Sequence, residues 1–283
     1  MTIDRVGVIG GGLMGSGIAE VCARSGSEVT VHEIDPDAAK AALGRIEKSL
    51  ARAIEREKLD ESGRDDILGR ITVSTDLGEQ ADSRLVIEAA TENVDLKRQI
   101  FADLDRVVSD DDAILASNTS SIPITRLAAA TSRPENVVGL HFFNPVPVMA
   151  LVELVITIKT SDDARERSRA YAENLGKTVV QAKDRAGFIV NMLLVPYMLS
   201  AIRMYETGVA SAEDIDTGMR LGANHPMGPL ELTDFVGLDT TKYVADVLFD
   251  EFKEPLYASP PLLTRMVEAG LHGRKTGSGF YDY

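Results

Sequence analysis

The sequence contains one cysteine, no tryptophan and no apolar run long enough to cross a membrane. The single cysteine, Cys22, excludes an intrachain disulfide, and its position on the apolar face of a predicted helix favours a packing role. The four histidines lie outside any cysteine cluster or HExxH pattern, so we expect no metal site. No N-terminal segment resembles a signal peptide, and the most apolar later stretch, residues 188–202, is too short for a membrane span. We therefore expect a soluble, cytoplasmic protein.

Positive charge is in the minority. The chain has 30 Lys and Arg against 44 Asp and Glu, a formal net charge of -14. Nucleic acid and anionic membranes would be repelled by this charge, so neither is expected as a partner. The 283 residues, 44% of them hydrophobic, are enough for a sizeable core and lie between one large domain and two.

The N-terminal segment, residues 5–35, has the pattern of a strand, a glycine turn, a helix and a second strand. Gly10 permits the turn, Gly12 lets the backbone approach a pyrophosphate, and Gly15 lets the helix pack closely on the strand. The helix N-terminus offers its N–H groups to the phosphates. This pattern predicts a dinucleotide-binding unit.

Glu33 follows the second strand of this unit. A carboxylate at this position accepts hydrogen bonds from both ribose hydroxyls of NAD and repels the 2′-phosphate of NADP, and no arginine follows within a few positions. We therefore expect NAD as the cofactor, bound by Glu33 and by the glycine turn, including Leu13 and Met14.

Strand-like runs and helical segments alternate through the first two thirds of the chain. Further strands are predicted at 71–74, 85–89, 113–117, 137–142, 151–156 and 178–181. This alternation predicts an α/β fold with a doubly wound, mainly parallel Rossmann-type sheet. Beyond residue 184 helices are predicted at 187–207, 212–221, 231–249 and 261–270. We therefore divide the chain into an NAD-binding domain, 1–184, and a smaller all-helical domain, 185–283.

Residues 139–155, GLHFFNPVPVMALVELV, hold one histidine and one glutamate twelve positions apart. If the two apolar runs pair as a hairpin folding near residues 145–147, His141 and Glu153 fall opposite each other. A carboxylate bonded to one imidazole nitrogen fixes the tautomer and stabilises the imidazolium, and the other nitrogen takes a proton from a substrate hydroxyl. The alternative is a core histidine with a chance neighbour.

Polar residues follow three successive predicted strands, where open α/β sheets bind ligands. Glu92 follows the first of them, Ser120 and Ser121 follow the second, and His141 ends the third. One of the two serines is also expected to cap the helix predicted near residue 123, and the two roles are compatible. Asn191 is a lone amide in an apolar run, where it satisfies a backbone group, a dimer contact or a ligand.

The helix predicted at 36–58 carries four cationic side chains at three- and four-residue steps. They are Arg45, Lys48, Arg52 and Arg56. Glutamates are interleaved with them, so the residues alone favour a solvated surface, with an anion-binding face for a phosphate-bearing substrate as the alternative.

Several segments together resemble the 3-hydroxyacyl-CoA dehydrogenases, most of all the short free-standing 3-hydroxybutyryl-CoA dehydrogenases. They are GVIGGGLMGSGIAE, ASNTSSIPIT, GLHFFNPVPVMALVELV, GFIVNMLLVPY, HPMGPLELTDFVGLDT and GRKTGSGFYDY. The resemblance covers essentially the whole chain in order. It implies that the protein oxidises (S)-3-hydroxyacyl-CoA to 3-ketoacyl-CoA with NAD, or catalyses the reverse reduction. It also implies that the helical domain, 185–283, is a substrate and dimerisation domain through which a homodimer forms.

The resemblance also implies roles for individual residues. His141 matches the catalytic base and Glu153 its orienting partner, while Ser120 and Asn191 match residues that hold the 3-oxygen and thioester of the substrate. Cofactor contacts are implied at Glu33, Glu92, Lys97, Ser120, Asn144 and Lys275. Contacts with the CoA part of the substrate are implied at Ser49, Arg52 and Arg56, which changes the preferred interpretation of the cationic helix to a CoA phosphate face.

Three positions depart from the family pattern, and none of them removes a catalytic group. Glu33 stands where aspartate is common, Ala186 where proline often precedes the glycine, and Met192 where many relatives have arginine.

Two other functions compete with this one. A related dehydrogenase of a free hydroxy acid, such as the L-gulonate 3-dehydrogenase and lens-crystallin branch, would have no use for a cationic CoA face. A catalytically silent nucleotide-binding protein would need no combination of His141, Glu153, Ser120 and Asn191.

Overall fold

The computed structural model describes residues 3–283, and the chain divides into two compact units between Arg185 and Ala186. The sequence placed this division between residues 184 and 185. The first unit is an eight-stranded sheet covered by helices, and the second is helical. No helix among residues 3–283 is long and apolar enough to span a membrane.

The sheet has the strand order β3-β2-β1-β4-β5-β6-β7-β8. Its strands are β1 Arg5–Ile9, β2 Glu28–His32, β3 Ile71–Ser74, β4 Leu85–Glu88, β5 Ile114–Ser117, β6 Val137–Phe142, β7 Leu151–Ile156 and β8 Thr178–Lys183. Within the described residues every neighbouring pair is parallel except β6 and β7, which run antiparallel. The predicted doubly wound, mainly parallel sheet is therefore confirmed. The central strands β4, β5 and β6 are buried along their whole length because helices cover both faces.

Among the described residues of the first unit, six α-helices accompany this sheet. They are α1 Leu13–Arg24, α2 Pro36–Glu55, α3 Glu61–Gly69, α4 Val94–Val107, α5 Ile124–Ala128 and α6 Asp162–Asn174. The start of α2 follows from its sequence, since the Asp35 carboxylate accepts a hydrogen bond from the Ala38 N–H at 2.8 Å and Pro36 occupies the first turn. Ala42, Ile46 and Leu50, spaced by four residues, are fully buried. At about 100° per residue, Arg45 and Arg56 fall beside this buried face, whereas Lys48 lies nearly opposite it.

The second unit contains five α-helices around their own apolar core. They are α7 Val190–Glu206, α8 Ala212–Gly222, α9 Pro229–Val236, α10 Leu238–Phe252 and α11 Pro261–Glu268. The prediction of one helix over 231–249 was wrong, because Gly237 separates α9 from α10 with φ +101°, a left-handed value that a helix interior excludes. A Cβ at this position would also lie 2.6 Å from the Lys275 side chain.

Candidate active site

The glycine turn between β1 and α1 is shaped for close approach of a ligand. Gly10 has φ +88°, and a Cβ at Gly15 would lie 1.7 Å from the Gly10 carbonyl oxygen, so both positions require glycine. Gly12 is the N-cap of α1, and a Cβ there would meet no atom within 4 Å. The first turn of α1 carries no acidic side chain. An open space at an uncompensated helix N-terminus fits a pyrophosphate.

Glu33 lies beside this turn, directly after β2. Its Oε1 accepts a hydrogen bond from the Gly11 N–H at 2.6 Å, so the carboxylate is held against the phosphate-binding turn. Burial lowers the pKa of the neighbouring His32, which favours its neutral form. The Glu33 carboxylate therefore faces the phosphate-binding turn as a negative charge, a geometry that fits the ribose of NAD and not a phosphorylated ribose.

The hairpin of β6 and β7 brings His141 directly opposite Glu153, as the sequence predicted. His141 Nδ1 lies 2.7 Å from Glu153 Oε2, and the two side chains are 8% and 0% exposed. The Phe143 ring packs against the imidazole with a centroid distance of 4.6 Å. A buried carboxylate is costly unless it is paired, so Glu153 strongly favours a hydrogen-bonded, cation-forming partner at this position.

A second buried carboxylate, Glu88, was missed by sequence reasoning. It ends β4 and accepts hydrogen bonds from Lys97 Nζ at 2.6 and 2.7 Å, from Ser117 Oγ at 2.7 Å and from the Ala90 N–H at 2.7 Å. An acid at the end of the buried run LVIE, with a lysine nine positions later, was the available signal. Lys97 is only 1% exposed, so it lies beneath the loop that follows β4 rather than on its surface.

Glu92, in the same loop, connects it to the loop after β5. Its carboxylate accepts hydrogen bonds from Thr119 Oγ1 at 2.9 Å and from the Ser120 N–H at 3.1 Å, and it lies 3.8 Å from Lys97 Nζ. The Ser120 backbone is thereby held at the carboxyl end of the sheet. Asn118 extends the connection to β6, since its Oδ1 accepts a hydrogen bond from the Phe142 N–H at 2.9 Å.

The predicted serine cap was wrong. The helix that follows, α5, begins at Ile124, and the Asp184 carboxylate accepts hydrogen bonds from the Ile124 and Thr125 N–H groups at 2.7 Å each. Asp184 is sixty residues away in sequence, so no local pattern could reveal it. Neither Ser120 nor Ser121 is used as the cap of this helix.

A groove runs between α1, α2 and the loop joining β6 to β7. Its first part is a cavity of about 230 Å³ whose lining includes Ser49, Arg52 and Arg56. A second cavity, of about 220 Å³, shares Ser49 and Arg52 with the first and extends to Leu13 and Asn144. The three predicted CoA-contacting residues therefore lie together on one elongated groove.

Arg45 and Lys177 stabilise the walls of this groove. Arg45 donates a hydrogen bond to the Gly11 carbonyl at 3.2 Å, so this member of the cationic stripe supports the glycine turn. Lys177 donates to the Val146 and Met149 carbonyls at 2.6 and 2.8 Å and so fixes the loop between β6 and β7. Burial lowers the pKa of Lys177.

Two predicted site residues belong to the second unit. Asn191 is the second residue of α7 and is half-buried, less enclosed than the sequence suggested. Lys275 Nζ is bonded to both Asp239 carboxylate oxygens, at 2.8 and 3.1 Å, and to Thr240 Oγ1 at 2.8 Å. Among residues 3–283 no group of three or more His, Cys, Asp or Glu side chains could hold a metal ion.

Known proteins resemble the chain along its whole length. A family model described as the NAD binding domain of 3-hydroxyacyl-CoA dehydrogenase matches residues 5–185, and the model of the C-terminal domain of the same family matches residues 187–283. A 3-hydroxybutyryl-CoA dehydrogenase of Mycobacterium tuberculosis is 58% identical over 282 residues, 99% of each chain. One from Bradyrhizobium diazoefficiens is 47% identical, over 99% of this chain and 96% of the relative.

Solved structures agree with these matches. The crystal structure of (S)-3-hydroxybutyryl-CoA dehydrogenase PaaH1 from Ralstonia eutropha superposes with a TM-score of 0.95 at 46% identity, covering 100% of this chain and 99% of that one. The crystal structure of FadB2 from M. tuberculosis has a TM-score of 0.99 at 58% identity, covering 100% of both chains. The chain therefore belongs to the NAD-dependent 3-hydroxyacyl-CoA dehydrogenase family.

Proposed function

We propose that this protein interconverts (S)-3-hydroxybutyryl-CoA and acetoacetyl-CoA with NAD(H). The observation that carries the proposal is the buried pair of His141 and Glu153, whose Nδ1 and Oε2 atoms are 2.7 Å apart. His141 lies near the carboxyl end of β6, the same end of the sheet at which the glycine turn follows β1. Relatives at 47% and 58% identity bear the name 3-hydroxybutyryl-CoA dehydrogenase, which supports a short acyl chain.

In the proposed oxidation, His141 takes the proton of the substrate 3-hydroxyl. The O–H bonding pair becomes the second bond of the new carbonyl, and the hydrogen on C3 leaves with its electron pair as a hydride. Bound NAD supplies the acceptor for that hydride. Glu153 holds the ring in the required tautomer and stabilises the imidazolium that forms. In the reverse reduction, the imidazolium returns the proton to the carbonyl oxygen.

The remaining polar residues are proposed to position the reactants. The Ser120 N–H donates a hydrogen bond to Glu92, and the Ser120 hydroxyl is proposed to donate a hydrogen bond to the 3-oxygen of the substrate. Glu92 and Asn144 are proposed as direct contacts of the cofactor. Lys97, buried against Glu88, is proposed to act on the cofactor through the loop that it supports. The family resemblance supports contacts of Asn191 with the substrate and of Lys275 with the cofactor.

The domain roles follow from the same proposal. The first unit would bind NAD along the glycine turn and the CoA part along the groove between α1 and α2. The second unit would contribute to substrate binding and dimerisation. The chain has a single cysteine, Cys22, which is buried and forms no intrachain disulfide, so a cytoplasmic location is proposed.

The direct test is oxidation of purified (S)-3-hydroxybutyryl-CoA with NAD, followed as NADH absorbance. We expect kcat/KM within the usual enzymatic range, about 10⁴–10⁸ M⁻¹s⁻¹. The (R)-enantiomer is the matched control, because it presents its hydroxyl to the opposite side of the carbon. Absence of turnover with the (S)-enantiomer, or equal rates with the two, would refute the proposal.

Cofactor choice depends on Glu33 in this account. The wild type should prefer NAD over NADP, and Glu33→Ala should reduce that preference, since the carboxylate that repels the 2′-phosphate is gone. The measurement compares kcat/KM for the two cofactors in both proteins. Equal or better use of NADPH by the wild type would show that Glu33 does not select the cofactor.

The role of α2 in CoA binding is tested by reversing the charge of Arg56. Arg56→Glu should raise KM for acetoacetyl-CoA by about tenfold or more, because a charge-assisted phosphate contact becomes a repulsion. KM for acetoacetyl-pantetheine, which lacks the nucleotide, should change little. Arg106→Glu, the same reversal at an exposed arginine of α4, is the control. A KM change of the same size for both substrates would rule out a phosphate contact.

A homodimer formed through the second unit is also proposed. Its exposed apolar side chains include Leu193, Val209 and Leu221, which are 71%, 68% and 82% exposed. Exposed apolar surface of this kind commonly marks protein interfaces. Sedimentation equilibrium at micromolar concentration should give twice the chain mass of 30.6 kDa. A single species at the chain mass would contradict the dimer.

A further inference from the structure

The groove between α1 and α2 has a cationic side chain on its α1 wall as well as on its α2 wall. Arg24, the last residue of α1, lines the cavity of about 230 Å³ together with Arg52 of α2 and Arg56, the C-cap residue of α2. Lys58 adds a fourth cation, and Glu20 is the only carboxylate among the residues that line this cavity. Four cations against one carboxylate stand out in a chain with a net charge of -14.

Glu20 holds Arg24 in place. Arg24 Nε and Nη2 lie 2.9 and 2.7 Å from Glu20 Oε1, one helical turn earlier in α1. The Glu20 side chain is fully buried, and its other oxygen has no hydrogen-bond partner among the described residues. Because a buried carboxylate needs a cation, the guanidinium is anchored to Glu20. The Arg24 side chain is 29% exposed, so its outer edge borders the cavity.

The distance from the glycine turn indicates which ligand this wall would meet. Arg24 lies at the opposite end of α1 from Gly12, and twelve residues at 1.5 Å each place it roughly 18 Å away. A side chain at that distance does not reach a pyrophosphate held at the N-terminus of α1. Ser49 of α2, which lines the same cavity as Arg24, is one of the residues proposed to contact CoA. The ligand that Arg24 would meet is therefore CoA.

We propose that Arg24, positioned by Glu20, binds a phosphate group of the nucleotide part of CoA, so that this part is held between α1 and α2. The inference rests on the proposed function and adds a binding residue to it. An arginine presents several N–H donors in a rigid plane and suits phosphate oxygens better than a lysine does. The contact distinguishes a CoA thioester from the free acid.

The test measures binding by calorimetry, with the first ligand being CoA and the second adenosine 3′,5′-bisphosphate. Both titrations are run on protein saturated with NADH, so that the cofactor site is closed to them. Replacing Arg24 alone would leave the buried Glu20 carboxylate unpaired and could unfold the protein. The variant is therefore the double substitution Glu20→Gln with Arg24→Gln, and its thermal unfolding midpoint is recorded beside that of the wild type.

The chain offers a matched control on α6. Arg169 is also 29% exposed and also pairs with a glutamate four residues away, Glu173, at 3.9 Å, but it does not line the cavity. The control variant is Arg169→Gln with Glu173→Gln. It removes the same two charges from a helical i,i+4 pair whose glutamate is 54% exposed.

We expect the Glu20 and Arg24 variant to bind CoA and adenosine 3′,5′-bisphosphate about tenfold more weakly, as loss of one charge-assisted contact predicts. NADH affinity should stay unchanged, and the Arg169 and Glu173 control should bind like the wild type. Nucleotide affinities in the variant equal to those of the control would overturn the inference. So would a wild type that binds neither ligand.

Different results would refute the phosphate contact of Arg24 and the oxidation of (S)-3-hydroxybutyryl-CoA. A wild type that binds both nucleotides through Arg24 but does not oxidise (S)-3-hydroxybutyryl-CoA would refute the proposed function and retain the phosphate contact. Full turnover with unchanged nucleotide affinity in the variant would retain the function and remove Arg24 from the site.

Discussion

A His141→Gln variant is expected to lose about two to four powers of ten in kcat, the usual contribution of a general base. Glutamine occupies similar space and remains polar, but it cannot take the proton of the 3-hydroxyl. The imidazole it replaces is 8% exposed and lies 2.7 Å from Glu153, so no solvent group can substitute for it easily. Affinity for NADH should be unchanged, because the cofactor contacts are proposed at other residues.

The measurement is steady-state kcat with acetoacetyl-CoA and NADH, together with a fluorescence titration of NADH. His225→Gln is the control, since it changes a histidine of the second unit whose Nδ1 lies 3.1 Å from Tyr197 Oη. Nearly full kcat in His141→Gln, with a deuterated cofactor showing that hydride transfer limits the rate, would return His141 to a structural role.

A Glu153→Gln variant is expected to lose about a hundredfold or more in kcat while binding NADH normally. The amide keeps the shape of the side chain but removes the charge that stabilises the imidazolium. Its NH₂ group can also donate to His141 Nδ1, which would place the ring proton on the wrong nitrogen. Because the Glu153 carboxylate is fully buried, little water screens its charge, and its attraction for the imidazolium is stronger than it would be at the surface.

Glu153→Asp is the informative companion variant. It retains the charge but shortens the side chain by one methylene, so its kcat should lie between those of the wild type and Glu153→Gln. Thermal unfolding midpoints for both variants separate a loss of catalysis from a loss of structure. Equal kcat in Glu153→Gln and the wild type would show that the carboxylate does not assist His141.

The parts of the site that the sequence could predict depend on local periodicity. The alternating apolar runs around residues 145–147 determine that β6 and β7 pair, and the two-residue period of a strand then places His141 opposite Glu153. The glycine turn is also local, because Gly10 and Gly15 meet through their own backbones. Both features were confirmed for this reason.

The parts that could not be predicted depend on contacts between distant segments. Asp184 caps α5 from sixty residues away, a position that the sequence assigned to a nearby serine. Glu88 is the acceptor of a buried hydrogen-bond network only because α4 brings Lys97 to it and β5 brings Ser117 to it. Gly237 lies inside the helix predicted over 231–249, yet its φ of +101° ends one helix and begins another.

The partners of the cationic side chains on α2 could not be predicted from the sequence. Interleaved glutamates made a solvated surface the simpler interpretation, whereas the fold places Arg52 and Arg56 on a shared cavity with Arg24. Arg45, from the same stripe, bonds instead to the Gly11 carbonyl. Helical spacing predicted that these side chains share one side of α2, but only the packing of α1 against it distinguishes their partners.

Whether this protein is a dehydrogenase of CoA thioesters is tested by comparing three substrates under identical conditions, with NADH oxidation as the readout. They are acetoacetyl-CoA, free acetoacetate and the oxidised form of a sugar acid. We expect kcat/KM for acetoacetyl-CoA to exceed that for acetoacetate by about 10²–10⁴-fold, because the phosphate contacts of Arg52 and Arg56, at about 1.5–3 kcal/mol each, are lost with the CoA. Equal or faster reduction of either free acid would contradict a dehydrogenase built for CoA thioesters.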